Sequence, residues 1–276
     1  MIKKNLEDIR RHKDIVESYL RGFPPYKICE HFNITHNELL ALIDYYGLPY
    51  EKDILPVSTI RDKRAIFIAD THIGSEDERI DLINETYDFA KREEINHVVH
   101  LGDALQAGDI PVIQEYQEPD RQIEHFAESY PSRSGVMTHI LFGNHDLKIL
   151  DKNHRYMKVI SSRPDMDVLG FKIAYLQWGR HLLSLYHECN HYHLNIPKRR
   201  TDLILEGHKH AFSSKGKIIK APSLSDDMKY YDGSISEPGF LVGEQTKNKI
   251  KFDFMSFDGG NMHCHSRVYE KHFKQK

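Results

Sequence analysis

Five short apolar runs in this 276-residue chain each stop at residues able to bind a metal or move a proton. Ala65 to Ala69 leads into Asp70-Thr71-His72, His97 to Leu101 into Gly102-Asp103, and Met137 to Phe142 into Gly143-Asn144-His145-Asp146. His181 to Tyr186 ends in His187, and Asp202 to Glu206 in Gly207-His208-Lys209-His210. Carboxylate, amide and imidazole are ligand types for divalent metals, and imidazole is also the commonest proton carrier. Gly143, just ahead of its tip, lets backbone and ligand approach closely. Each motif alone is an ordinary turn by composition, whereas unrelated turns would not repeat this chemistry at the ends of successive runs. Residues two apart on an extended chain point the same way, so Asp70 with His72, and His208 with His210, are each expected to face one site.

Continuous apolar runs of this length read as strands buried on both faces. Between the first two, Glu78 to Ile95 has helical period through Ile80, Ile83, Tyr87 and Ala90, and a second helix is expected around Asp120 to Tyr130. That alternation predicts parallel βαβ units. The second half is strand-rich. Phe171 to Trp178 and His181 to Tyr186 form an expected hairpin across Gly179-Arg180, followed by Asp202 to Glu206, a turn at Ser213 to Gly216, Gly239 to Val242, and Ile250 to Phe254. This larger domain is expected over 64–256, with 257–276 as a tail of little pattern.

Ahead of it, residues 1–50 read as a small all-α domain and 51–63 as a broken, charged linker. Leu6, Ile9, Val16 and Leu20 mark a first helix, Tyr26 to Phe32 a second, and a Thr35-x-x-Glu38 capping box a third that stops at Gly47. Three helices with a tight Asn33-Ile34 turn resemble a helix-turn-helix unit. The third helix carries no Lys or Arg, unlike helices that read DNA, so DNA binding and a docking or homo-oligomerisation module both stay open.

A hydrophobic content of 39% with 29% charged residues is that of a soluble globular protein. No apolar stretch is long enough to span a bilayer, and the start lacks the apolar core of a signal peptide, so no membrane partner and a cytoplasmic location are expected. Cys29, Cys189 and Cys264 form no CxxC and suggest neither a disulfide framework nor a cysteine-based zinc site. A net charge of −3 argues against broad attraction to nucleic acid while leaving room for a local basic patch.

Taken in order, D-x-H, G-D, G-N-H-D, H and G-H-x-H resemble the signature of the calcineurin-like metallophosphoesterases, from roughly Arg64 to Phe254. The resemblance implies an α/β (α+β) fold, a two-sheet β-sandwich flanked by helices, with a dinuclear metal site at the strand ends. It implies Asp70, His72, Asp103 and His210 around one ion, and Asp103, Asn144, His187 and His208 around the other. Asp103 would bridge them, a shared hydroxide would be the nucleophile, and His145 would act as general acid. The ligand mix suits manganese first, with iron, zinc or nickel as alternatives. His191 and His193 compete with His187 for its role, but His187 ends the strand directly. His263-Cys264-His265 reads as a surface feature of the tail.

One position departs from the family's phosphatase branch: Gln106 stands where a second Asp orients the general acid, and the accompanying Arg is missing. That argues against a protein Ser/Thr phosphatase and leaves open what holds His145, with Asp109 as a substitute. The Asp70-Thr71-His72-Ile73-Gly74-Ser75 opening looks more like the nuclease branch. Lys209, with Lys198, Arg199 and Arg200 on the His187 connection, offers cations for flanking phosphates. The leading expectation is a metal-dependent phosphodiesterase or nuclease acting on DNA or RNA. Its alternatives are a phosphoesterase of small nucleotides or phosphomonoesters, or a DNA-binding regulator with an inactive domain.

Overall fold

The computed structural model describes residues 11–19, 25–34, 39, 42–43, 57–107, 116–153, 155–187, 201–226 and 237–273. The chain divides into two compact units, Met1–Val57 with Asn190–Arg200, and Ser58–Cys189 with Thr201–Lys276.

In the smaller unit, residues 11–19 are helical and α1 spans Pro25–Phe32. Asn33 closes α1 in the left-handed region (φ 49°), a conformation that asparagine tolerates. Ile15 and Tyr19, one turn apart, are buried with Ile28, Cys29, Ile34, Leu39 and Ile43. The inward face of the first helix is thus set by Ile15 and Tyr19 rather than by Val16, which is only half-buried. The Thr35 to Glu38 capping box and most of the expected third helix lie outside the described residues.

The larger unit runs β1 (Val57–Ile60), β2 (Arg64–Ile68), α2 (Ile80–Arg92), β3 (His97–His100), α3 (Pro119–Ser129), β4 (Met137–Phe142), α4 (Asn144–Lys152), α5 (Arg155–Ser162) and β5 (Met166–Phe171). It continues β6 (Ile173–Trp178), β7 (His181–Tyr186), β8 (Leu203–Glu206), β9 (Ser213–Lys215), β10 (Ile218–Lys220), β11 (Gly239–Thr246), β12 (Lys249–Asp258) and β13 (Asn261–His272). Hydrogen-bonded neighbours follow the order β13-β12-β11-β2-β3-β4-β5-β6-β7-β8-β10-β9, with β1 on β6. Only Phe171 and Ile173 pair across β5 and β6, about Lys172 at φ 57°, and this tight corner divides the path into two sheets.

The parallel strands β2, β3 and β4 are buried on both faces for identifiable reasons. Phe67, Val99, Leu101 and Leu141 point into a core shared with Leu176, Trp178, Leu183, Leu205 and Ile219 of the second sheet. On the opposite face, Thr138 of β4 bonds the Tyr87 hydroxyl of α2 at 2.7 Å, and Tyr87 donates to Tyr130 at 3.0 Å. Each large apolar side chain so enclosed contributes roughly 1.5–3 kcal/mol.

Several expectations change. A strand, β1, lies inside the expected linker, hydrogen-bonded to β6 despite its charged flanks. The tail expected over 257–276 contains β13, held by antiparallel pairing to β12. The apolar run from Phe171 begins with the last residue of one strand and continues in another, because the chain reverses at Lys172.

Candidate metal centre

The parallel strands deliver the polar tips to one end of the sheet, but pleat alternation does not aim them. Asp70 (φ 53°), His72 (φ 44°), Asp103 (φ 55°), His208 (φ 68°) and His210 (φ 53°) all occupy the left-handed region. The expectation that each D-x-H or H-x-H pair converges along extended chain is therefore corrected: successive left-handed turns bring the pairs together. Such backbone is uncommon outside glycine, costs on the order of 1–3 kcal/mol per residue, and persists where the surroundings enforce it. Here the loops enforce one another, Asp70 N donating to Gly102 O (3.0 Å), His72 N to Asp103 O (3.1 Å) and Ile73 N to Ala104 O (2.9 Å).

The result is two donor groups. Asp70, His72 and His210 place one ligand atom each within 4.8 Å of one another, as do Asp103, His187 and His208. In the first, His72 Nε2 and His210 Nε2 are 3.2 Å apart, and Asp70 Oδ1 lies 3.9 Å and 3.5 Å from them. In the second, His187 Nε2 is 2.9 Å from Asp103 Oδ2 and 3.1 Å from Asn144 Oδ1. A third overlapping group, His72, Asp103 and His145, joins the two. Asp70, His72, Asp103, His145, His187 and His210 are buried, while Asn144 and His208 are half-exposed.

Burial raises the Asp70 carboxyl and lowers His72 well below its usual range. Burial alone would raise Asp103 and lower His187, but the two groups outweigh it, holding Asp103 below and His187 above their ordinary ranges. His187 Nδ1 lies 2.8 Å from Leu101 O, where only an N–H can satisfy the contact. Its Nε2 faces two oxygens, from Asp103 and Asn144. A proton on Nε2 serves those oxygens in the ion-free protein, and a divalent ion in its place would take Nε2 and both oxygens as ligands with the ring neutral.

Supporting residues hold these groups in place: Asp146 reads from the sequence as structural, whereas His100 and Ser223 carry no signal there. Asp146, the third residue of α4, accepts from Gly143 N (2.9 Å), Ala104 N (3.1 Å), Leu105 N (3.1 Å) and Tyr156 Oη (3.2 Å), clamping the Asp103 loop to the Asn144 tip. Buried His100 accepts from Gly102 N at 3.2 Å through Nδ1, so its Nε2–H must donate to Thr71 Oγ1 at 3.1 Å, which donates on to Ala104 O. That relay ties the loop of Asp70 and His72 to the loop of Asp103. Ser223 Oγ donates to Asp70 O at 2.8 Å from a third loop.

His145 does have an orienting partner. Its Nδ1 meets the main-chain carbonyl of Gln106, an acceptor that leaves Nε2 for other partners. The missing carboxylate is replaced by backbone, for which the Gln106 side chain gives no sequence signal. Asp109 lies outside the described residues, as do His191, His193, Lys198, Arg199 and Arg200. Lys209 is half-buried between His208 and His210.

The family model described as calcineurin-like phosphoesterase matches residues 63–212. The chain belongs to that family, whose members use divalent metals, and the donor groups above are the candidate positions for them. No curated protein matches. Among solved structures, similarity extends to YfcE, a phosphoesterase from E. coli, at 13% identity over 76% of this chain and 100% of that one, TM-score 0.47. Vacuolar Protein Sorting 29 from Cryptosporidium parvum matches at 16% over 77% and 98%, TM-score 0.46. The Pseudomonas putida nuclease MPE matches at 15% over 73% and 86%, TM-score 0.41. Similarities at this level say nothing about what this chain acts on. No helix among the described residues is long and apolar enough to cross a membrane.

Proposed function

We propose that the chain is a dinuclear metal-dependent phosphodiesterase acting on nucleic acid. The observation that carries the metal reading is the convergence of Asp70, His72 and His210, and of Asp103, His187 and His208, into two adjoining donor groups linked by a third made of His72, Asp103 and His145. Asp70, His72 and His210 would hold one ion, His187, His208 and Asn144 the other, with Asp103 shared. Manganese suits this mixture of imidazole, carboxylate and amide, with iron, zinc or nickel as alternatives. When bound, the ions supply positive charge for the phosphoryl oxygens and activate water.

This chain's own groups do the rest. His145 holds its ring by Nδ1 on the Gln106 carbonyl and presents Nε2 to protonate the departing oxygen. His145 N–H donates to Asp103 Oδ1 at 2.8 Å, so the acid and the shared carboxylate move as one unit. Lys209, between two ligands, meets a flanking phosphate. The substrate class rests on that cation, on Lys198, Arg199 and Arg200, and on the absence of the Asp and Arg that mark the phosphatase branch. Residues 1–50 serve as a targeting or assembly module.

The test is turnover, with manganese added, of a generic phosphodiester, a phosphomonoester, a cyclic nucleotide, and single- and double-stranded DNA and RNA. Cleavage of nucleic acid that is lost in His145→Asn supports the proposal. Cleavage confined to the monoester would move the assignment to small phosphoesters.

A further inference from the structure

A second set of imidazoles lies at the other end of the same strands. His97 opens β3 and His139 sits in β4. The pairing of His97 with Met137 and of Val99 with His139 puts both histidines on one face. His97 Nδ1 and His139 Nε2 face each other at 3.0 Å. Each outer nitrogen faces a carboxylate, His97 Nε2 at 3.4 Å from Asp62 Oδ2 and His139 Nδ1 at 3.7 Å from Asp167 Oδ2. Asp167 is the registered neighbour of His139 on β5, and Asn96 Nδ2 donates to the same Asp62 oxygen at 3.2 Å.

Counting protons exposes a mismatch. Two neutral imidazoles carry two N–H groups. The contact between the rings needs one, and each outer nitrogen needs one to face its carboxylate favourably, making three. A neutral pair therefore always turns one bare nitrogen toward a carboxylate. His139 is 8% exposed, and its Nδ1 is one of three buried side-chain polar atoms without a hydrogen-bond partner among the described residues.

A cation between the rings removes the mismatch. The inner proton shifts to the outer nitrogen, both outer N–H groups face carboxylates, and both inner lone pairs are used. Carboxylate–imidazole–metal chains of this kind are the usual way a protein fixes the tautomer of a ligating histidine. Two imidazole nitrogens on one tetrahedral zinc ion lie about 3.3 Å apart, given Zn–N lengths near 2.05 Å. The observed 3.0 Å is close to that, and close to the 3.2 Å between His72 and His210 in the strand-end site.

We propose that His97 and His139 bind one borderline divalent ion of the zinc class, at a position separate from the strand-end centre. Asp62 and Asp167 receive the outer N–H groups, and water completes the coordination. The site lies outside the machinery proposed for hydrolysis, so it stands or falls independently of that reading.

The test is equilibrium dialysis of the full chain against zinc, with metal content measured per chain, for the native protein, His139→Gln, His97→Gln and Asp167→Asn. The native protein is expected to bind one more zinc than either histidine variant. Asp167→Asn should weaken that additional zinc about 10- to 100-fold while leaving the others unchanged. Asp167 has a 57% exposed side chain, so this variant answers the question even if a histidine variant fails to fold. Phosphodiester turnover should be the same in native and Asp167→Asn protein. Equal zinc stoichiometry in native and histidine variants would overturn the proposal. So would an unchanged zinc titration in Asp167→Asn accompanied by a pH-dependent melting temperature, which would show that the rings hold a third proton instead.

Discussion

Replacing Gly143 by alanine tests the geometry of the metal centre more sharply than removing a ligand does. Gly143 has φ −90° and ψ −172°, extended backbone open to any residue, so alanine meets no conformational penalty of its own. The added Cβ, however, would sit 2.2 Å from Asp103 Oδ1 and 2.5 Å from Asp103 N. Non-bonded heavy atoms rest about 3.5 Å apart, so the carboxylate must retreat by roughly 1 Å. That carboxylate accepts from His145 N at 2.8 Å and lies 2.9 Å from His187 Nε2, and both contacts stretch together. A misplacement of about 1 Å costs on the order of 100-fold in rate, or ~2.7 kcal/mol of barrier. Overpacking costs a further 1–3 kcal/mol of stability, roughly, a few degrees of melting temperature in a unit of this size. The assay is kcat/KM on a chromogenic phosphodiester with manganese, alongside metal content and a thermal melt. A Gly143→Ala protein that folds, binds its full complement of metal and turns over at the native rate would refute the reasoning.

Other substitutions separate the remaining roles. His145→Asn should lower kcat by roughly 100- to 10,000-fold at unchanged metal content, as loss of a general acid does; a parallel loss of metal would instead make His145 a ligand. Gln106→Ala should change kcat by less than about threefold, because the group on His145 is the main-chain carbonyl, whereas a much larger loss would give the side chain a role of its own. His100→Leu leaves the Gly102 amide and the Thr71 hydroxyl short of a partner and should cost about 2–4 kcal/mol in a denaturant melt. Burial holds His100 from 6.5 down to about 3, so its contribution is fully present above pH 6.5 and is lost as pH falls toward 3. Over that interval roughly 5 kcal/mol is at stake, and His100→Gln should show a shallower acid limb in melting temperature against pH.

Much of this site is legible in the sequence because chemistry-bearing residues end buried strands. The runs into Asp70, Asp103 and Asn144 could be read from apolar continuity alone, since one face meets helices and the other a second sheet; the run into His187 turns Leu183 and Leu185 into the same core. Aim was harder to read. Left-handed backbone at Asp70, His72, Asp103, His208 and His210 has no glycine to announce it and is enforced by hydrogen bonds between loops distant in sequence. The partner of His145 was hidden for a related reason, because a main-chain carbonyl can belong to any residue type. α4 was obscured by its own first turn: Asn144, His145 and Asp146 read as a polar tip, although Asp146 caps the helix by accepting from Gly143 N. β13, with its histidines, Cys264 and largely exposed face, has little apolar alternation, so its strand character comes from pairing with β12 rather than from burial.

The central claim is that Asp103 is shared by two divalent ions whose presence switches on phosphodiester hydrolysis. Stripping the full chain with chelator and titrating manganese back, with bound metal and turnover followed together, tests it most directly. Two manganese ions per chain are expected, with turnover appearing only as the second binds, and both are expected to be lost or weakened in Asp103→Asn. Full hydrolysis by the stripped protein, or two ions retained undiminished in Asp103→Asn, would contradict it.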